Sequence, residues 1–348
     1  MNKKLIAIAV VAALAPAAAM ADVKVYGRIH VSVDSISGVT QPNNLFLNSN
    51  SSRFGVKGSE DLGDGMKALY QLEAGVNAAG GGQTVADGNG NSGTTNSGVF
   101  TNARDMYVGL AGDFGAVLTG RLGGSNQYVY DSNLFGDQIG DAATFTNTIP
   151  GRLNSVLAYA TPDMNGFDAL VAIVPGTSNG LASDSNSYTL KLNYGANGIG
   201  AHLFAANVNA GTNTTVKPLA IAGSYDFGNG MVTAQYVKAK SDTGGTTNDD
   251  RSIYNIGGQF NLSDKSAIKA QYSKAGVNNS AAGTGASMFA IGYDYSLSKN
   301  TGLYAAFAQV SNDAGAAFAV DNYGHGGNSA LAAGEDPKGF SVGLTHNF

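Results

Sequence analysis

The sequence predicts an all-β chain, a transmembrane antiparallel β-barrel of 16 strands. Three observations carry that expectation: apolar and polar residues alternate over many short stretches, short turns alternate with long polar loops, and the last strand ends in a bare phenylalanine. In that strand Phe340, Val342, Leu344, His346 and Phe348 point one way, while Ser341, Gly343, Thr345 and Asn347 point the other, as the two-residue period of a strand requires. One face suits hydrocarbon and the other water. Hydrocarbon tolerates no unpaired sheet edge, so such a strand has to close a barrel.

The opposite end reads as an export signal. Lys3 and Lys4 form a positive n-region, Leu5 to Leu14 an apolar h-region, and Ala19-Met20-Ala21 a small-x-small cleavage site. Residues 1–21 are expected to be removed as a signal peptide, leaving 22–348 as one barrel domain. No other stretch approaches the roughly 18 consecutive apolar residues of a transmembrane helix. Removing the two leader lysines from 20 basic residues leaves 18 against 25 acidic ones, a formal net charge of −7 that disfavours a nucleic-acid partner. Cysteine is absent, which excludes a disulfide framework and thiolate metal sites. The 49 glycines exceed the average share of about 7% without a collagen-like period. With 16 Tyr and 15 Phe they fit short strands joined by turns rather than disorder.

The strands follow in order. Val23, Val25, Ile29, Val31 and Val33 alternate with Lys24, Tyr26, Arg28, His30 and Ser32. Phe54 and Val56 oppose Arg53 and Lys57, and Met66, Ala68, Tyr70, Leu72, Ala74 and Val76 oppose Lys67, Gln71, Glu73 and Asn77. Downstream, Tyr188 to Tyr194, Leu219 to Phe227, Tyr254 to Leu262, Ile268 to Tyr272 and Phe289 to Tyr295 repeat the pattern, with aromatics near strand ends where girdles belong. Short turns are expected near residues 61–65, 112–113, 162–166, 195–198, 228–230, 263–266 and 296–301. Between them lie long Gly/Asn/Ser/Thr segments at 35–51, 78–100, 123–150, 175–186, 209–216, 240–251, 275–286 and 311–337. Seven turns and eight loops join sixteen strands, with the short turns periplasmic.

Three segments resemble a known family. Arg53 to Val76 (RFGVKGSEDLGDGMKALYQLEAGV), Ala103 to Leu122 (ARDMYVGLAGDFGAVLTGRL) and the closing strand Gly339 to Phe348 are similar to the Gram-negative general porins of the neisserial and β-proteobacterial type. The resemblance implies an outer-membrane homotrimer, a water-filled channel for passive diffusion of ions and small hydrophilic solutes, and no enzymatic activity or cofactor. It implies that the long loop Gly123 to Pro150 folds inward as a constriction loop. It also implies that Phe348 is part of an assembly signal read by the barrel assembly machinery, and that outer-membrane lipid and lipopolysaccharide surround the chain.

Filtering at a constriction is electrostatic. The loop carries Asp131, Asp137 and Asp141 beside Tyr128, Tyr130, Phe135 and Phe145. Alternation turns Arg53 toward the lumen, because Phe54 and Val56 take the lipid side, and Arg152 is opposed by Leu153 and Leu157. Arg104 and Arg121 join the basic wall by resemblance alone, since Arg104 shares the parity of Met106, Val108 and Leu110. Four arginines against three aspartates give a slight positive excess and an expected weak anion preference. Gly27, Gly339 and Gly343 are expected to let subunit walls approach closely.

Other readings are a solute-selective sugar channel, a surface adhesin and a barrel enzyme. The first needs an aromatic ladder in the lumen, whereas Tyr and Phe fall mostly on the lipid register. An enzyme needs a clustered triad, and His30, His202, His325 and His346 are scattered. Asp87-Gly88-Asn89-Gly90-Asn91 begins like a calcium loop, but Ser92 and Gly98 stand where glycine and glutamate are required. No metal is expected.

Overall fold

The computed structural model describes residues 22–40, 44–79, 100–123, 132–146, 149, 151–176, 186–209, 213–279, 281–321, 324–326 and 331–348. The expected leader, Asp131, and the calcium-like segment at 87–91 lie outside these residues.

Among the described residues one antiparallel sheet of eighteen strand segments closes on itself. They are β1 (Asp22–Ser37), β2 (Asn44–Ser49), β3 (Arg53–Gly63), β4 (Met66–Val76), β5 (Phe100–Gly112), β6 (Gly115–Gly123), β7 (Arg152–Ala160), β8 (Phe167–Val174) and β9 (Ser187–Ala196). The circuit continues through β10 (Ile199–Asn209), β11 (Thr214–Val216), β12 (Leu219–Asp226), β13 (Gly230–Thr243), β14 (Thr246–Ser263), β15 (Ser266–Ala275), β16 (Ala286–Ser296), β17 (Thr301–Asn312) and β18 (Lys338–Asn347). Segments β2 and β3 pair with successive halves of β1 and so form one barrel strand, broken at residues 50–52. Segments β11 and β12 likewise both pair with β10 and β13. Eighteen segments therefore make a 16-strand barrel. Closure is direct, with β1 against β18 from Arg28 opposite Asn347 to Ser37 opposite Lys338.

Alternation sets the two faces. Along β14 and β15, Tyr254, Ile256, Ile268 and Tyr272 face outward and are about half exposed, while Asn255, Lys269, Gln271 and Ser273 face inward and are buried. The short turns form as expected. At Asp64-Gly65 and Asn197-Gly198 both residues have positive φ, which is why Asp/Asn-Gly pairs occupy two-residue hairpin turns. The expected loop 240–251 is instead a hairpin tip. Strand β13 runs to Thr243, β14 starts at Thr246, and Gly244-Gly245 turn with φ of 59° and 81°. Its charged residues are held in extended backbone by cross-strand pairing of Lys240 with Asp250 and Ser241 with Asp249. Parts of the expected loops at 35–51 and 209–216 are strand for the same reason: segments β2 and β11 complete ladders begun by their neighbours.

Two of the three glycines expected at a flat outer wall face the other way. A side chain on Gly339 would collide with Ile139 and Ile36, and one on Gly343 with the Tyr304 ring, all inside the barrel. Gly27 is on the outward row, where the Phe348 ring covers it.

Candidate functional site: the charged lumen

The loop after β6 enters the barrel and crosses to the far wall. Phe135, Ile139, Phe145 and Ile149 are almost fully buried there, in one cluster with Ile36, Val237, Ile253, Met288, Ala308 and Val320. Burying such side chains contributes on the order of 2 kcal/mol each, which outweighs the cost of desolvating the loop backbone only if that backbone finds partners. It does. The wall side chains Thr233 and Asn255 both donate to the Ser132 carbonyl at 3.0 Å, and Leu134 N–H donates to Gln271 Oε1 at 2.9 Å. Lys269 Nζ donates to Gln138 Oε1 at 2.9 Å, pairs with Asp294 at 2.9 Å, and stands over the Phe135 ring.

Asp141 sits inside the loop, and among the described residues its hydrogen bonds are to the loop itself. Its carboxylate accepts from Asn133 Nδ2, Asp137 N–H and Ala143 N–H at 2.5, 2.9 and 2.8 Å, so it ties the turn together. Burial, reinforced by the neighbouring Asp137 carboxylate, pushes its pKa up to about 7. Asp137, held at φ 61°, is the loop acid that reaches the basic wall: Arg28 Nη1 lies 3.3 Å from its Oδ2.

The basic wall comes from β1, β3, β5 and β7. Arg28 stands opposite Arg53 in the β1/β3 ladder, and both share the inward row. Arg53 lies in the field of Arg104, Asp137, Arg28 and Glu73. Arg104 Nε bonds Glu73 Oε1, and Tyr26 OH donates to Glu73 Oε2 at 2.8 Å. Arg152 Nε donates to Asp105 Oδ1 at 2.8 Å.

The inward turn of Arg104 departs from simple parity for a physical reason. In the β4/β5 ladder Leu72 pairs with Met106 but Ala74 pairs with Ala103. Three residue steps on β5 thus span two on β4, a bulge. The bulge reverses parity and delivers Arg104 to Glu73 and Asp105 to Arg152.

Arg121 does not join this wall. It stands opposite Met106, which stands opposite the exposed Leu72, so it occupies the outward row. Its guanidinium donates to the Ala103 carbonyl at 3.1 Å and Asn154 Oδ1 at 2.5 Å. Sequence reasoning also passed over Arg28, Glu73, Asp105 and Lys269. Arg28 and Glu73 were visible on the lumen register, whereas Asp105 is hidden by the bulge and Lys269 by its distance in sequence from the loop it anchors.

A second loop, between β17 and β18, also turns inward. His325 and Asp34 are fully buried, with Nε2 3.3 Å from Oδ2, and Asp34 also accepts from Ser32 at 2.8 Å and Asn48 at 2.6 Å. The break between β2 and β3 receives the loop: Ser51 Oγ donates to the Gly324 carbonyl and Gly326 N–H to Asn50 Oδ1. His30, at 3.0 Å from Tyr304 OH, borders the same network, so two histidines far apart in sequence converge. The Asp34 charge, opposing the cost of burial, raises the His325 pKa above its ordinary value.

A closed outer-membrane-type barrel narrowed from within by a folded loop and lined by opposed charges is a pore geometry, and comparison with known proteins agrees. The family described as Gram-negative porin matches residues 7–315. The chain belongs to that family. Among relatives, outer membrane porin protein 32 of Delftia acidovorans is 28% identical, with all of both chains covered. The major outer membrane protein P.IA of Neisseria meningitidis serogroup C is 33% identical over 56% of this chain and 51% of that protein. The solved anion-selective porin from Comamonas acidovorans superposes with a TM-score of 0.79 over 94% of this chain and all of that one, at 23% identity. Vibrio cholerae OmpT in a trimer form gives 0.67 at 15% identity over 94% and 99%. The protein is thus an outer-membrane channel of a Gram-negative bacterium.

Proposed function

We propose that the channel passes ions and small hydrophilic solutes passively, with a weak preference for anions, and that Arg28, Arg53, Arg104, Arg152 and Asp137 form its filter. The carrying observation is the convergence of four wall arginines on one inner face, against the acid of the inward loop. Glu73, Asp105 and Asp137 offset three of those four charges, leaving a small positive excess at short range. Exposed charges farther away than the screening length of about 8 Å at physiological salt contribute little, so the local excess governs which ion enters more readily. The anion-selective title of the Comamonas structure points the same way.

The functional unit is a homotrimer, supported by the trimer form of a structural neighbour. The leader at 1–21 is cleaved, Phe348 serves assembly, and lipopolysaccharide borders the barrel. A sugar-selective ladder has little support, since Phe135 and Phe145 are spent on packing the loop.

Planar-bilayer recording tests the filter. In the double variant R53Q/R152Q the reversal potential under a salt gradient moves toward cations and single-channel conductance rises. Unchanged values for both quantities place the filter elsewhere.

A further inference from the structure

The Arg28 guanidinium is shared between a charged and an uncharged partner. Its Nη1 lies 3.3 Å from Asp137 Oδ2 on the inward loop, and its Nη2 lies 3.3 Å from His30 Nδ1 on its own strand. Its Nε has no acceptor among the described residues, so these two contacts fix where the head sits. They work against a push, because Arg53 stands directly opposite in the β1/β3 ladder and like charges facing one another across a strand pair repel.

His30 is built as a rigid support. It lies on β1 at the break where pairing with β2 stops at Ser49 and pairing with β3 resumes at Arg53. Residues of the break take over its backbone. Ser52 Oγ accepts from the His30 N–H at 2.9 Å and donates to the His30 carbonyl at 3.0 Å, and Asn50 N–H donates to the same carbonyl at 2.9 Å. The side chain is fully buried. Its Nε2 lies 3.0 Å from the Tyr304 hydroxyl, and the two rings stand edge to face with centroids 5.4 Å apart. Tyr304 stands opposite Gly343 in the β17/β18 ladder, and any Cβ at 343 would collide with its ring, so the glycine clears the path by which that ring crosses β18 to reach His30.

A guanidinium donates hydrogens and accepts none, so the ring nitrogen that faces it presents its lone pair. The ring proton then sits on Nε2 and is donated to the Tyr304 oxygen. His30 thus meets Arg28 as an uncharged acceptor, whereas Glu73 and Asp105 hold Arg104 and Arg152 by opposite charge. A carboxylate at position 30 would bring the acids level with the four arginines and cancel the positive excess. A neutral imidazole holds an arginine in place and leaves that excess intact.

We propose that His30 is a positioning residue of the filter, holding Arg28 against Asp137 and so sustaining the preference for anions. The inference rests on the reading of Arg28 as a filter group.

The test compares reversal potentials under a salt gradient, in planar bilayers, for wild type, R28Q, H30L, H30N and R28Q/H30L. R28Q moves the potential toward cations. H30L, which offers no acceptor, moves it the same way by a smaller amount, since a head held at one point spreads its charge over more positions. H30N, whose Oδ1 can stand where Nδ1 stood, keeps the wild-type value. R28Q/H30L coincides with R28Q, because His30 acts through Arg28 and the two effects do not add. A histidine that only filled space would make H30N and H30L alike and would leave the H30L shift intact in the R28Q background. Either result overturns the proposal, as does a wild-type potential in H30L beside a shifted one in R28Q. An unshifted potential in R28Q removes the filter reading of Arg28 and this inference with it. H30F, which keeps a ring in place without an acceptor, takes the part of H30L if that variant fails to assemble.

Discussion

The barrel holds two loops inside itself, and beyond the apolar cluster they share at Phe145, Phe318 and Val320 each has its own kind of anchor. The loop after β6 is fixed mainly by apolar burial, with Phe135, Ile139 and Phe145 packed among aliphatic wall residues. The loop after β17 is fixed at Gly324 to Gly326 by polar contacts, centred on a fully buried pair of Asp34 and His325. Apolar burial is indifferent to proton concentration, whereas an ion pair with a histidine is not. The first arrangement suits a permanent narrowing and the second a contact that conditions can weaken.

The largest effect on this contrast comes from F135A/F145A. Each truncation of a fully buried phenylalanine costs about 3 to 5 kcal/mol, with less than full additivity because both side chains belong to one cluster. The loop is then expected to become cleavable by protease in the folded protein, with higher and noisier single-channel conductance. Resistance equal to wild type would mean that the polar ties to Gln271 and Lys269 suffice without the aromatics.

A smaller effect is expected from H325A, which leaves Asp34 buried with Ser32 and Asn48 as its donors. Removing one partner of a buried pair costs about 3 kcal/mol. Protease sensitivity should appear in the last loop and not in the loop after β6. Cleavage of both would show that the two are coupled, as the bond from Gly140 N–H to the Val320 carbonyl permits.

The smallest effect separates the loops by pH. Asp141 and His325 both bind protons more tightly in the folded protein, so both contributions are lost as pH rises. For Asp141 the loss runs from its ordinary value near 4 up to about 7. For His325 stability is intact below the ordinary histidine value of about 6.5 and is lost as pH climbs through the raised folded value. Between pH 7 and 9, hydrogen-exchange protection, corrected for intrinsic rates, should fall around residues 324–326 and stay constant at 133–146. The fall should vanish in H325A. A fall in both loops would refute the assignment of the alkaline transition to His325.

The barrel was legible in the sequence because a two-residue period survives loss of any single residue, and the row of Arg53 opposite Arg28 is the one parity gives. Arg152 was not legible that way: three steps on β7 from Val156 to Leu153 span two on β6, and Leu153 packs with the buried Val156 and Ala158 instead of facing away from them. Arg104 was not legible by parity, since a bulge at its own position reverses the rule. Arg121 followed the rule that resemblance had overridden, and its outward place opposite Met106 is what parity alone gives. Residues 240–251 were misread because strand pairing there is carried by charged side chains rather than apolar ones. The second inward loop had a faint signal in His325 beside Phe318 and Val320 within a long polar segment. Its partner Asp34, nearly a chain length away, could not be paired with it from sequence.

The seam between β1 and β18 bears on folding order. Nearly every other ladder joins neighbours in the chain, so those hairpins can form early and locally, whereas Gly27 and Phe348 exchange backbone hydrogen bonds across almost the entire polypeptide. Contacts of such sequence separation carry the greatest loop-closure cost and form slowly. Until they form, two strand edges are open at once. The interval before the seam shuts is therefore when the polypeptide is most exposed to mispairing with another copy, and the rate of that one step sets how long the hazard lasts.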